Sequence, residues 1–222
     1  MRKIYGFICI AFCLFLAVPQ SKADICGTTP GNLVANCGFE TGDFTSWTLA
    51  GNDVPGQGGV LYGVEGTDPI DGIAPNSGSN QAFFADLVSN ATTLSQSITT
   101  VPTDQYTVSF YLAQDTTPSA GYSNAFSASF GGDTLVSLSA MPLQGYTEYS
   151  YTVDATSASS VLSLTFGNGL GEFLVDDISV VNDTPVATTP EPPAWTLMLV
   201  GLMGSAFLWK RNEISRICNV RI

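Results

Sequence analysis

Histidine is absent from all 222 residues, and lysine and arginine are absent between Asp24 and Pro193. Without an imidazole there is no Ser-His-Asp arrangement and no helical zinc-protease site. Without Lys or Arg there is no phosphate-binding loop, no Schiff base and no phosphoryl clamp. No Gly-x-Ser-x-Gly occurs in the same stretch. Its eighteen Asp and Glu repel phosphate backbones and anionic head groups, so nucleic acid is excluded as a partner. Divalent cations and neutral sugars remain compatible. Of the common hydrolytic chemistries only a glycosidase built on paired carboxylates survives, and among so many acids chance pairs are expected. The reading is therefore non-catalytic.

The seven basic residues lie at the two ends, and both ends read as addresses. Arg2 and Lys3 precede an apolar run from Ile4 to Val18, and small residues at Ser21 and Ala23 fit a signal-peptidase site. Residues 1–23 are expected to be a cleaved leader, since the run is short for a span and is followed by Pro19. At the other end a Thr/Pro-rich spacer, residues 182–193, is stiff and extended. Apolar residues 194–209 follow, read as a short transmembrane helix, then Lys210, Arg211 and a basic tail to Ile222. The basic cluster stays on the cytoplasmic side, which puts the acidic middle outside.

Pro190-Glu191-Pro192, the apolar segment with Gly201 and Gly204, and Lys210-Arg211 together resemble the PEP-CTERM sorting signal. That resemblance implies an exosortase as processing partner, an inner-membrane stage before the cell surface, and association with exopolysaccharide in an extracellular matrix or biofilm. The tail departs from the pattern by a decapeptide, Glu213 to Ile222, beyond the basic cluster.

Residues 24–181 read as one all-β domain. Tyr106, Val108, Phe110 and Leu112 alternate with Thr107, Ser109, Tyr111 and Ala113; Leu162, Leu164 and Phe166 repeat the pattern, as do Tyr149, Tyr151 and Val153. Period two marks half-buried strands. Turn-forming clusters punctuate the chain at Asn52–Gly59, Thr67–Asn80, Gly131–Asp133 and Gly167–Gly169, and no window of adequate length has helical period. Nine to eleven short strands predict a single jelly-roll β-sandwich.

The run Asn32 to Gly42 followed by Trp47, and the closing Phe173 to Val180, resemble the first and last segments of galactose-binding-like jelly rolls, a fold shared by many carbohydrate-binding modules. In such modules a calcium ion joins the first and last strands. The resemblance implies Glu40, Asp176 and Asp177 as its ligands here, with a carbonyl from Gly38. Hard oxygens from distant parts of the chain are what calcium takes. Asp176 also falls in phase with Leu174, Ile178 and Val180, which reads as the core face, where an uncompensated carboxylate is costly. The alternative is a carboxylate satisfied by turn hydrogen bonds alone.

Sugar binding needs exposed aromatic platforms beside polar groups, and Tyr62, Tyr111 and Tyr122 are the candidates, with Trp47 assigned to the core. Cys26 and Cys37 are the only cysteines in the exported domain, since Cys9 and Cys13 fall in the leader and Cys218 in the tail. A pair in an oxidising compartment suggests a disulfide, two free thiols being the alternative. The favoured function is a surface or matrix protein associated with exopolysaccharide; the rival is a module specific for one glycan.

Overall fold

The structure, a computed structural model, describes residues 22–51, 62–68 and 72–184. Most of the leader and the whole sorting segment, including Pro190, Glu191, Pro192, Lys210 and Arg211, lie outside the described residues. Among the described residues no helix is long and apolar enough to cross a membrane.

One short helix, α1 (Ile25–Thr28), precedes ten strands: β1 (Thr48–Ala50), β2 (Tyr62–Glu65), β3 (Gln81–Phe84), β4 (Thr92–Thr99), β5 (Gln105–Gln114), β6 (Asn124–Phe130), β7 (Asp133–Ser139), β8 (Gln144–Asp154), β9 (Ser159–Asn168) and β10 (Phe173–Asn182). They form two five-stranded antiparallel sheets, ordered β1-β4-β9-β6-β7 and β2-β3-β10-β5-β8. This is an all-β two-sheet sandwich, consistent with the expected jelly roll.

The alternating residues supply the core. Tyr106, Val108, Phe110 and Leu112 of β5 meet Leu162, Leu164 and Phe166 of β9 and Phe126 and Phe130 of β6, all buried. Phe84 and Phe166 stack across the two sheets with ring centroids 4.0 Å apart. Trp47 is buried as expected, its ring against Phe39 and its indole N–H donating to the Asn36 carbonyl.

The N-terminal segment completes the second sheet. β3 pairs with β10 only over Phe173–Val175. Beyond that the chain from Asn32 to Cys37 takes its place: Leu33 N–H donates to the Val180 carbonyl and Ile178 N–H to that of Cys37. Cys26 and Cys37 form a disulfide, which ties α1 to this segment.

The phase assigned to Asp176 needs correction. Phe173 and Val175 join the core cluster, whereas Leu174 and Asp176 alternate away from it. A bulge follows, with the register against β5 shifting between Asp176 and Ser179 and Asp177 at φ +51°. The inserted residue flips the side-chain alternation, so Ile178 and Val180 return to the core. Asp176 is still fully buried, but under a roof on the outer side of the sheet.

Candidate functional site

The roof is the run Asn76-Ser77-Gly78-Ser79-Asn80, and the three carboxylates singled out in the sequence converge on it. Glu40 Oε1 accepts from Ser79 N–H at 2.8 Å and Asn80 N–H at 2.9 Å. Asp176 Oδ2 accepts from Ser77 N–H at 3.1 Å, and its Oδ1 from Asp177 N–H at 2.8 Å. Asp177 takes Ser77 Oγ–H at 2.6 Å, Asn76 Nδ2–H at 2.7 Å and Cys26 N–H at 3.3 Å. The local sequence makes this close approach feasible. A Cβ on Gly78, whose φ is +62°, would lie 2.1 Å from Glu40 Oε1. One on Gly38 would meet Asp24 Oδ1 at 3.1 Å and Asp176 Oδ1 at 3.5 Å.

Electrostatically the pair is costly. Burial, and then the charge of Asp177, push the Asp176 carboxyl up to about 8, against the pull of the N–H groups of Ser77, Asp177 and Asn76. Among the described residues Lys22 is the only cationic side chain, and it precedes the expected cleavage site. Asp176 and Asp177 are adjacent buried carboxylates, Glu40 reaches the same Asn76–Asn80 run from its own exposed turn, and Asp24 lies beside Gly38; oxygens of this kind are what a divalent cation takes. Asp24, Asn76, Ser77 and Gly78 were not singled out from the sequence. Asn76–Asn80 carried only a turn signal, and nothing local says which carboxylate a turn will meet.

A second acidic group lies on the same sheet. Carboxylate oxygens of Glu65, Asp68 and Glu172 fall within 4.8 Å of one another. Burial and then Asp68 raise the Glu65 carboxyl, while a hydrogen bond from Gln81 lowers it. Asp24, Cys26 and Cys37 are also clustered, but those sulfurs are bonded to each other and offer no thiolate.

Tyr146 spans the middle of this face. Its hydroxyl donates to Gln81 Oε1 at 2.7 Å. β8 and β3 are separated by β5 and β10, so the Tyr146 and Gln81 side chains together bridge about 14 Å of sheet. Ala113 and Leu174 beneath its path have no exposed surface.

The β5/β8 half of the face stays open. Tyr111 stands opposite Glu148, Ser109 opposite Ser150 and Thr107 opposite Thr152. Glu148, Ser150 and Thr152 are exposed and the β5 partners half-buried. The Tyr111 hydroxyl is shifted up by burial first, then by the charge of Glu148 and a hydrogen bond to it. The three candidate tyrosines occupy different places. Tyr62 is half-buried, stacked on Phe84 and edge-on to Phe44, and borders a cavity of about 80 Å³ with Leu49, Ala50, Gly51 and Thr92. Tyr122 is 53% exposed in the loop between β5 and β6.

No protein-family model matches the sequence, and no curated protein does. Solved structures do resemble it. The structure of TmCBM61 in complex with β-1,4-galactotriose aligns at 20% identity with a TM-score of 0.50, covering 68% of this chain and 99% of that one. The CBM22-1 xylan-binding domain of Paenibacillus barcinonensis Xyn10C aligns at 17% identity and TM-score 0.46, over 74% and 99% of the two chains. A family 35 carbohydrate-binding module from Clostridium thermocellum aligns at 13% identity and 0.43, over 63% and 95%. At 20% identity the likeness to TmCBM61 is one of fold, and the jelly-roll expectation agrees with it.

Proposed function

We propose that the protein is an exported, non-catalytic glycan-binding module whose site is the open β5/β8 half of the second sheet. The observation that carries this reading is the cross-strand row of Tyr111 and Glu148 beside the Ser109–Ser150 and Thr107–Thr152 pairs. An aromatic ring offers a sugar its apolar face, and the carboxylate and hydroxyls beside it accept and donate hydrogen bonds. The surrounding acids disfavour anionic polymers, so the ligand class is a neutral polysaccharide. The resemblance of the fold to carbohydrate-binding modules supports the same choice. Asp68 and Glu172 are 1% and 7% exposed, so a polymer does not straddle the acid group at glycosidase spacing.

The same proposal includes a structural calcium held by Glu40, Asp176 and Asp177 with the Gly38 carbonyl. It also includes export by signal peptidase, membrane retention through residues 194–209, and release to the surface by an exosortase acting at Pro190-Glu191-Pro192. The matrix and its exopolysaccharide are then both location and ligand.

Titration against a panel of neutral polysaccharides tests the binding site. Tyr111→Ala is expected to weaken binding at least tenfold and Glu148→Gln several-fold, with no release of reducing sugar. If Tyr122→Ala abolishes binding and Tyr111→Ala leaves it unchanged, the site is the loop and not the sheet face. Absence of binding to every polymer of the panel refutes the reading.

A further inference from the structure

Four strands end the two sheets, and one of them is unlike the rest. β1, β2 and β7 have three, four and seven residues; β8 has eleven. β8 is bonded, among the described residues, on one side only, to β5. Among the described residues no backbone–backbone hydrogen bond outside that ladder involves residues 144–154. An edge of this length is ordinarily blunted by Lys, Pro or a bulge. β8 contains no Lys and no Pro, and Glu148 is its only charge before the terminal Asp154. Its register shift, opposite Leu112 to Gln114, protects just the first end, leaving a regular edge from Thr147 to Val153.

We propose that this edge pairs with the same edge of a second copy, antiparallel, about a two-fold axis at Ser150. The register follows from the side chains. Opposite residues must share a sheet face, so the axis must pass through a residue. At Ser150 the pairs are Tyr149–Tyr151, Glu148–Thr152 and Thr147–Val153, each occurring twice. Aromatic and β-branched cross-strand pairs are the favourable kind, and neither carboxylate opposes another. An axis at Tyr151 would set Glu148 against Asp154 twice. An axis at Tyr149 would drive the bulged Gly145 and Tyr146 into the ladder. Only the register centred on Ser150 thus pairs the whole regular edge, Thr147 to Val153, without opposing carboxylates. Two acidic copies repel at long range, so pairing strengthens as salt screens them. The two second sheets become one ten-stranded sheet, since each contributes five strands. If the β5/β8 face binds glycan, the two faces become contiguous and one polymer engages both; the pairing itself does not depend on that reading.

The test uses the full chain in mild detergent, with Cys9, Cys13 and Cys218 changed to Ser. Ser150→Cys places two thiols on the axis, where opposed α-carbons are about 5 Å apart and a disulfide fits. A disulfide-linked dimer is expected on mild oxidation. Thr152→Cys places the thiols about 13 Å apart along the strands, too far to bond. A lysine scan adds a difference of sign. Ser150→Lys opposes itself and should dissociate the dimer, whereas Thr152→Lys faces the partner's Glu148 and should tighten association several-fold at low salt. Three outcomes overturn the proposal: a monomer by light scattering at both low and high salt, equal cross-linking of the two Cys variants, or the two Lys variants shifting association in the same direction.

Discussion

Replacing Asp176 by Asn removes a carboxylate that the fold buries against a second one, and the consequence depends on pH with a definite sign. The folded-state pKa of Asp176 is about 8, against an ordinary 3.8. A carboxyl raised on folding binds its proton more tightly in the native state, so its contribution is most favourable below the unfolded pKa. That contribution is lost as pH rises through the folded value. Each pH unit in this window costs about 1.4 kcal/mol, so the cation-free protein should lose roughly 4 kcal/mol between pH 5 and pH 8. For a domain of this size that is a fall of roughly 8–16 °C in Tm. The Asp176→Asn variant keeps an acceptor for Ser77 N–H and carries no charge, so its Tm should lack this component. The assay is thermal unfolding of both proteins in chelator from pH 5 to 8, reading the difference between the two curves, because Glu65 titrates with the same sign in each. The variant should be less stable than or similar to wild type at pH 5 and more stable at pH 8. Calcium at pH 8 should stabilise the wild type by about 2.7 kcal/mol at a hundredfold excess over Kd, raising its Tm, and leave the Asp176→Asn variant unmoved. Parallel curves in chelator would show that Asp176 does not titrate in this range. An equal response of both proteins to calcium would place the ion elsewhere.

Three further outcomes are expected. Changing Cys26 and Cys37 to Ser should cost about 3 kcal/mol by the chain-entropy argument, and thiol labelling of unfolded, unreduced protein should find neither sulfur reactive. At Asp177, whose φ is +51° and whose side chain accepts three hydrogen bonds, destabilisation in chelator should rise from Asn to Gly to Ala. Asn tolerates the left-handed backbone and keeps one acceptor, Gly keeps only the backbone, and Ala loses both, at roughly 2–4 kcal/mol; an Ala variant as stable as the Asn variant would remove the bulge from the explanation. Glu191→Ala should leave the tail attached in the native host, and mass spectrometry of the wild-type surface protein should find no C-terminus at Ile222.

The sequence by itself settles the class of fold because alternation is a local property. Tyr106 to Leu112 and Leu162 to Phe166 declare a strand with one apolar face whatever they pack against, and the turn clusters between them set the strand count. Composition likewise settles particular exclusions: a domain without His, Lys or Arg cannot build a Ser-His-Asp arrangement, a phosphoryl clamp or a Schiff base. The convergence of Glu40, Asp176 and Asp177 was legible through the likeness of the opening and closing segments to a known fold. Their partners were not, since Asn76–Asn80 meets them only after a long excursion of the chain. The face of Asp176 was misjudged for a related reason. Period-two patterning assigns sides only while the register is unbroken, and the bulge at Asp177 exists because β3 stops beside Val175 and the Asn32–Cys37 segment takes over. That hand-over is a relation among three distant segments, with no local signature in the Asp-Asp dipeptide. The same holds for the edges: Thr147–Val153 reads as an ordinary strand, and only the order of the sheet decides that one of its sides has no neighbour among the described residues.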